Sequence, residues 1–200
     1  MKVIGLTGGI LTGKSTISQM LAEKGAVIID ADKVGHQAYQ PHTEIWREVV
    51  AAFGRGILKE GGDIDRKKLA QIVFNDHQAL AKLNGIMHPR MHDMIGREIE
   101  RLRKDGTKTV VLEAAILIEA HWTDLVDEIW VSVAPEASVI KRLQDRGGLT
   151  EEQAKARIRS QISTEERLKH ANVIVDTNCT LAEVKAKVDE LWKALQSRKN

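Results

Sequence analysis

The chain has few of the residues that cross-link or stiffen a protein. One of its 200 residues is cysteine, Cys179, so no disulfide can form within the chain, and only three residues are proline. The apolar part of the starting sequence MKVIGLTGG is too short for a signal peptide or a membrane span. These shortages exclude a disulfide scaffold and a proline-rich linker, and we expect a cytoplasmic protein without a membrane partner.

An excess of charge of one sign is also missing. The formal net charge is +2, and acidic and basic residues are interspersed along the chain. This balance argues against a nucleic-acid or membrane surface, although it leaves room for a basic pocket. The content of 42% hydrophobic and 29% charged residues is typical of a globular protein that buries one sizeable core.

Five short runs rich in valine and isoleucine predict buried strands. They are KVIGL (2–6), AVIID (26–30), TVVLE (109–113), EIWVSV (128–133) and NVIVD (172–176). None alternates cleanly between polar and apolar residues, which is typical of parallel strands covered on both faces. Segments with helical spacing separate the runs. The sequence therefore predicts an α/β fold with three layers and a five-stranded parallel sheet.

The segment GGILTGKS, residues 8–15, matches the phosphate-loop pattern of glycine, four residues, glycine, lysine and a hydroxyl residue. It follows the first predicted strand and opens a predicted helix over 15–24, so a ligand-free glycine turn is the weaker alternative. We expect the loop amides to bind the β-phosphate of a nucleotide, with Lys14 between the β- and γ-phosphates and Ser15 on magnesium. The predicted ATP-binding residues here are Gly9, Ile10, Leu11, Thr12, Gly13, Lys14, Ser15 and Thr16.

Two connections are too long for simple crossovers. Roughly 75 residues separate the second and third predicted strands, where about a dozen would suffice. Apolar residues recur there at helical spacing in 45–53, 68–74 and 94–102, which predicts a helical substrate subdomain over 33–104. The second excursion, 142–170, carries two capping pairs and predicts short charged helices that form a mobile lid segment. The remaining residues, 1–32, 105–141 and 171–200, form the predicted nucleotide-binding core.

Acidic residues follow two of the predicted strands. Asp30 and Asp32 come at the end of the second strand, and ligands of open parallel sheets bind outside such carboxyl ends. Asp32 is the candidate general base for an attacking hydroxyl, with a helix cap or Asx turn as the structural alternative. Glu113 ends the third strand, where nucleotide hydrolases keep a carboxylate for a magnesium-bound water, and an ordinary surface acid fits the spacing equally well.

The lid segment is rich in arginine. Arg142 and Arg146 lie four residues apart and share one helical face just before Gly147 and Gly148, a candidate hinge. Arginines on a closing segment can neutralise the charge of a transferring phosphoryl group, so both are candidate catalytic residues together with Lys14. A merely solvated helix face is the alternative.

These motifs together resemble one family. The phosphate loop, VIIDAD (27–32), HP (88–89), RGGLTEEQAKARIRSQ (146–161) and ANVIVDTN (171–178) are similar to segments of the dephospho-coenzyme A kinase (dephospho-CoA kinase) family, from end to end. The resemblance implies a core, substrate domain and lid like those of nucleoside monophosphate kinases. It also implies that ATP, with magnesium, phosphorylates the ribose 3′-hydroxyl of dephospho-CoA to give coenzyme A and ADP.

The resemblance assigns further residues. In that family the residue matching Asp32 is thought to activate the hydroxyl, and the residues matching Arg142 and Arg146 approach the phosphates. It implies substrate-binding roles for Asp32, His88, Pro89, Arg90 and Glu113, and an ATP-binding role for Asn178. We expect a monomer or small homo-oligomer whose partners are ATP and dephospho-CoA, without nucleic acid.

The sequence departs from the family pattern in two places. Leu11 and Thr12 replace small residues, and a left-handed backbone at Leu11 would cost about 1–2 kcal/mol. The segment AAILIE (114–119) replaces a proline-containing turn but keeps Glu119. We expect altered efficiency rather than a different reaction. Another P-loop small-molecule or nucleoside monophosphate kinase stays open as an alternative, whereas a nucleotide switch is disfavoured because no asparagine-lysine-x-aspartate motif is present.

Overall fold

The computed structural model describes residues 1–198, in which strands and helices alternate. The strands are β1 (Lys2–Gly8), β2 (Val27–Asp30), β3 (Thr109–Glu113), β4 (Glu128–Val133) and β5 (Val173–Asp176). The helices are α1 (Lys14–Glu23), α2 (Ala31–Ala38), α3 (Glu44–Phe53), α4 (Arg66–Phe74), α5 (His77–Lys104), α6 (Glu136–Gly147), α7 (Glu151–Arg159), α8 (Thr164–Leu168) and α9 (Leu181–Ser197). Short 3-10 turns lie at Arg55–Ile57 and Thr123–Leu125. No described helix combines the length and apolar character that spanning a bilayer demands.

The strands form one five-stranded parallel sheet in the order β2-β3-β1-β4-β5, which confirms the predicted fold class. Strand β1 is central, and its Leu6 lies opposite Glu113 of β3 on one side and Trp130 of β4 on the other. Gly8, the last residue of β1, lies opposite Ser132 near the end of β4. The register therefore gathers the ends of three strands around the start of the phosphate loop.

One apolar cluster packs helices α1 and α9 against the sheet. Its buried members include Ile17 and Leu21 from α1, Val184 and Val188 from α9, and residues of four strands: Ile4, Leu6, Val111, Trp130 and Val175. Full burial of each such aliphatic side chain contributes about 1.5–3 kcal/mol. The cluster fixes α1, and with it the carboxyl half of the phosphate loop.

The chain divides into two compact units, one made of Met1–Ile29 with the chain from Leu102 onward, the other of Asp30–Arg101. The second unit is helical. Its buried residues recur at helical spacing along α3, α4 and α5: Ile45, Val49, Leu69, Val73, Met87, Met91 and Ile95. The indole of Trp46 donates to the carbonyl of Gly62 at 2.8 Å, so this partly buried aromatic is also satisfied.

Helix α5 is longer than the pattern predicts. Spacing indicates a helix over 94–102, but the observed helix begins at His77 and continues through Pro89. A proline inside a helix removes one hydrogen bond and crowds the carbonyl four residues earlier, at a cost of about 3 kcal/mol. Met87, Met91 and Ile95 are buried along one side of α5. Burial of these side chains offsets that cost, so the helix continues past Pro89 although proline locally favours a break.

The lid segment folds as the capping signals predict. Thr150 and Gln153 form a reciprocal capping box at the start of α7, and the hydroxyl of Ser163 accepts from the backbone N–H of Glu166 at the start of α8. Each cap satisfies backbone donors that a helix otherwise leaves unpaired. The two predicted short helices are therefore confirmed.

Candidate active site

The loop from Gly8 to Ser15 joins β1 to α1 and depends on two of its glycines. A Cβ at Gly8 would lie 2.6 Å from the carbonyl oxygen of Ser132, so no side chain fits there. Gly13 caps α1 with a φ of 94°, and a Cβ would lie 3.0 Å from Thr177 Cγ2. Both positions require glycine, because the first is a close approach of two strands and the second has left-handed backbone.

Hydroxyl groups fasten the loop to the sheet. The hydroxyl of Thr12 lies 2.7 Å from that of Ser132 and donates to the carbonyl of Gly9 at 2.8 Å. Thr177 Oγ1 donates to the carbonyl of Thr12 at 2.9 Å. Ser132 and Thr177 are absent from the sequence-based prediction. Both residues could have been found from their positions at the carboxyl ends of β4 and β5, because ligands of open parallel sheets bind there; the same rule identifies the aspartates after β2.

Lys14 and Ser15 carry the charge and the hydroxyl of the motif. Lys14 Nζ lies 2.9 Å from the carbonyl oxygen of Gly8 and 3.1 Å from that of Gly9, so the side chain folds back over the loop. Ser15 Oγ donates to Glu113 Oε1 at 2.8 Å. Of the two interpretations of Glu113, this contact favours a carboxylate that acts beside the phosphate loop.

Arg142 ties the lid segment to the loop. Its guanidinium donates to the carbonyl of Leu11 at 2.9 Å and to that of Thr177 at 3.0 Å. Arg146 lies one turn further along α6 and lines the same cleft. The structure thus brings both predicted arginines to the loop.

A cleft of about 310 Å³ opens beside the loop. Its walls are formed by Leu11, Gly13, Lys14, Ser15, Thr16, Arg142, Arg146, Thr177, Cys179, Leu181 and Val184. Three of these described lining residues are cationic and none is acidic, while Leu11, Leu181 and Val184 form an apolar wall. Such a cleft suits a ligand that combines several negative charges with a flat apolar group.

Leu11, which replaces a small residue of the family pattern, has a left-handed backbone in the structure. Its φ is 53°, a conformation that costs a non-glycine residue about 1–2 kcal/mol. The side chains of Ile10 and Leu11 pack against the buried Val139, Leu143 and Ala154 of α6 and α7. Apolar contact with the lid segment therefore offsets the strain in the loop.

Arg167 is a buried cation that the sequence does not reveal. Its side chain is only 2% exposed and donates to Thr7 Oγ1 at 3.0 Å, to the carbonyl of Ala115 at 2.7 Å and to Glu119 Oε1 at 3.1 Å. Burial lowers the pKa of Arg167, and the neighbouring Glu119 opposes that shift. Arg167 lies in a strongly charged segment of the sequence, where many charged residues in a row indicate a solvent-exposed helix face. Its contacts instead join α8 to the end of β1 and to the AAILIE turn.

In the second unit, the two aspartates have different environments. The Asp30 carboxylate caps α2 by accepting from the backbone N–H groups of Asp32 at 3.0 Å and Lys33 at 3.2 Å. The carboxylate of Asp32 is exposed in the first turn of the helix. The capping role considered for Asp32 therefore belongs to Asp30, and the Asp32 carboxylate is available for chemistry.

The other predicted residues lie on helices or a strand end. His88, Pro89 and Arg90 are consecutive in α5, and the Arg90 guanidinium pairs with Glu48 and with Glu44 at 3.3 Å. The hydrogen bond that Arg90 donates to Glu48 raises the pKa of Arg90. Asn178 follows β5 and accepts from the hydroxyl of Ser138 at 2.8 Å.

Fold and site together define a P-loop kinase: a phosphate loop at the carboxyl edge of a five-stranded parallel sheet, with two arginines from helix α6 beside it. A shikimate kinase from Bacteroides thetaiotaomicron has the same fold, with a TM-score of 0.57 at 12% identity over 98% of each chain.

Sequence comparison gives the family within that class. The dephospho-CoA kinase family model matches residues 2–183, and the chain belongs to that family. A dephospho-CoA kinase of Geobacter sulfurreducens is 42% identical over 192 residues, which cover 96% of this chain and 98% of that protein. The structure of a dephospho-CoA kinase from Campylobacter jejuni is 29% identical, with a TM-score of 0.75 over 98% of both chains.

Proposed function

We propose that this protein transfers the γ-phosphoryl group of ATP to the ribose 3′-hydroxyl of dephospho-CoA, giving coenzyme A and ADP in the last step of coenzyme A biosynthesis. The observation that carries the proposal is the cleft in which Lys14, Ser15, Arg142 and Arg146 converge on the phosphate loop of a chain from this family. We also propose a cytoplasmic monomer or small homo-oligomer that needs no nucleic-acid partner.

ATP binds with its phosphates in the loop and its base toward the apolar wall. Loop amides over residues 9–16, other than that of Ile10, which donates to Gln161, donate to phosphate oxygens, and Lys14 reaches the bond between the β- and γ-phosphates. Arg142 and Arg146 neutralise the charge that spreads over the transferring group. Leu181 and Val184 pack on the adenine, and Asn178 contributes to the same nucleotide site. Phosphoryl transfer then depends mainly on positioning and charge neutralisation.

Ser15 and Glu113 have the chemistry of a magnesium site. A hydroxyl and a carboxylate 2.8 Å apart beside the phosphate loop are both hard oxygen donors, the type that magnesium prefers. Magnesium bound there neutralises phosphate charge and orients the triphosphate. Glu113 holds the Ser15 hydroxyl in place by accepting a hydrogen bond from it.

The second unit receives the acceptor. The exposed Asp32 carboxylate accepts the proton of the ribose hydroxyl as that oxygen attacks the γ-phosphorus atom. His88, Pro89 and Arg90 bind the rest of dephospho-CoA from α5, with the Arg90 guanidinium oriented by Glu48. The lid segment, 142–170, excludes water during transfer.

A coupled ADP-release assay tests the proposal against other kinases of the class. Dephospho-CoA, AMP, adenosine and shikimate are offered in parallel with ATP and magnesium. We expect rapid ADP release with dephospho-CoA alone, and a product that carries its new phosphate on the ribose 3′-oxygen. Equal or faster turnover of AMP, adenosine or shikimate would identify a different small-molecule kinase.

A further inference from the structure

Gln161 makes a contact with the phosphate loop that neither the motif nor the family assignment explains. Its side-chain oxygen, Oε1, accepts from the backbone N–H of Ile10 at 2.8 Å. A Cβ built on the adjacent Gly9 would lie 3.6 Å from the same oxygen. The carboxamide of Gln161 therefore lies against the first residues of the loop, although 151 residues separate it from Ile10.

The end of α7 places this side chain. Gln161 follows the helix by two residues, and its backbone N–H donates to the carbonyl of Ile158 at 3.2 Å. Ile158 packs on the apolar cluster that also receives the side chains of Ile10 and Leu11. The hydrogen bond and the apolar contacts therefore act on the same part of the loop from the helix pair α6 and α7.

The polarity of the contact fixes the orientation of the carboxamide. A backbone N–H can only donate, so the oxygen of Gln161 faces Ile10 and the NH₂ group points away from that amide. Lys14 Nζ lies near the carbonyl oxygens of Gly8 and Gly9, next to the residues that Gln161 contacts. Because the phosphate-loop lysine reaches toward the γ-phosphate, Gln161 lies at the γ-phosphate end of the loop.

We propose that Gln161 is a positioning residue for phosphoryl transfer, which holds the γ-phosphate end of the loop in its reactive geometry through the Ile10 amide. The inference rests on the proposed kinase function. An unpaired Ile10 amide lets this end of the loop rotate, whereas Thr12, further along the loop toward the residues that bind the β-phosphate, is held independently by Ser132 and Thr177. Loss of the contact therefore impairs transfer of the γ-phosphoryl group more than it impairs binding of ADP.

Two substitutions separate this role from a purely structural one. For Gln161→Ala we expect kcat to fall about tenfold while the Kd for ADP stays within about twofold, since one hydrogen bond to the loop is lost. Gln161→Glu keeps an oxygen acceptor for Ile10 but adds a negative charge next to the phosphates. For that variant we expect mainly a higher KM for ATP, by about tenfold.

Gln144→Ala is the matched control, because Gln144 is an exposed glutamine on α6. Steady-state kinetics with dephospho-CoA, ADP titration calorimetry and thermal unfolding are measured for all four proteins. A kcat of Gln161→Ala within twofold of wild type would overturn the proposal, as would equal losses of ADP affinity and kcat. If Gln161→Ala fails to fold, Gln161→Glu decides, because an unchanged KM for ATP would contradict the placement at the γ-phosphate end. Wild-type turnover of dephospho-CoA tests the kinase function separately.

Discussion

Ser15 Oγ and Glu113 Oε1 are 2.8 Å apart, so the hydroxyl that follows the phosphate-loop lysine is hydrogen-bonded to the last residue of β3. The parallel register causes this contact, because Glu113 lies opposite Leu6 at the end of the neighbouring strand. Two residues 98 positions apart in the chain thereby place one pair of oxygen atoms beside the phosphate loop.

Glu113→Gln should weaken the response to magnesium. The carboxamide still accepts from Ser15, but the negative charge that attracts the cation is lost. Substitution of such supporting groups typically costs about 10–100-fold in metal affinity or activity, so we expect a rise of that order in the magnesium concentration for half-maximal rate. Magnesium titration of the initial rate checks this, with Glu23→Gln at the exposed end of α1 as control. An unchanged titration would remove Glu113 from the site.

Asp32→Asn should lower kcat far more than it affects ATP binding. The asparagine has the same shape but cannot accept the hydroxyl proton, and general-base catalysis is typically worth about 10²–10⁴-fold in rate. Single-turnover kinetics and titration with a non-hydrolysable ATP analogue give the two quantities. Asp63→Asn, an exposed aspartate of the same helical unit, is the control. Activity near the wild-type level would mean that another group takes the proton.

Leu11 offers a test of backbone strain within the loop. Leu11→Ala and Leu11→Gly both remove the apolar contacts with the lid segment, but only glycine relieves the left-handed φ of 53°. We therefore expect Leu11→Gly to be more stable than Leu11→Ala by up to about 1 kcal/mol, opposite to the usual order for these two residues. Urea unfolding of both variants measures the difference. Greater stability of the alanine variant would show that residue 11 carries no strain.

Contacts of Glu183 at the start of α9 should make the free energy of unfolding depend on pH. Glu183 accepts from both the hydroxyl and the backbone N–H of Thr180, and these hydrogen bonds lower the pKa of Glu183 from its usual 4.5. A carboxyl with a lowered pKa in the folded state stabilises the protein above pH 4.5 and loses that effect as the pH falls through the folded-state value. Wild type should therefore exceed Glu183→Gln in unfolding free energy at pH 7, and the gap should shrink below pH 4.5.

Urea unfolding of both proteins between pH 7 and pH 3 measures that gap. Glu190→Gln, an exposed residue further along α9, should show no comparable trend. A gap that stays constant across this range would mean that the Thr180 contacts do not depend on the charge of Glu183.

Local patterns predict most of the fold. The five strands match the apolar runs to within two residues at either end, and the caps at Thr150 and Ser163 begin the two predicted helices of the lid segment. These signals are readable because they act between residues that are close in the chain. Helix α5 is the exception, since burial of its apolar side carries it through Pro89 against a local signal that favours a break.

Short-range patterns suffice to predict the phosphate loop, the parallel sheet and the residue types of the site, because glycine spacing, strand composition and helix caps act between near neighbours in the chain. Folding of the whole chain is needed to show that Asp30 caps α2, that Arg167 is buried beside β1, and that Gln161 accepts from the amide of Ile10. In each of the last two cases one partner, Thr7 or Ile10, lies 151 or more residues away in the chain, and a charged or polar side chain could equally face solvent. Packing between distant segments of the chain decides whether such a side chain is buried or exposed.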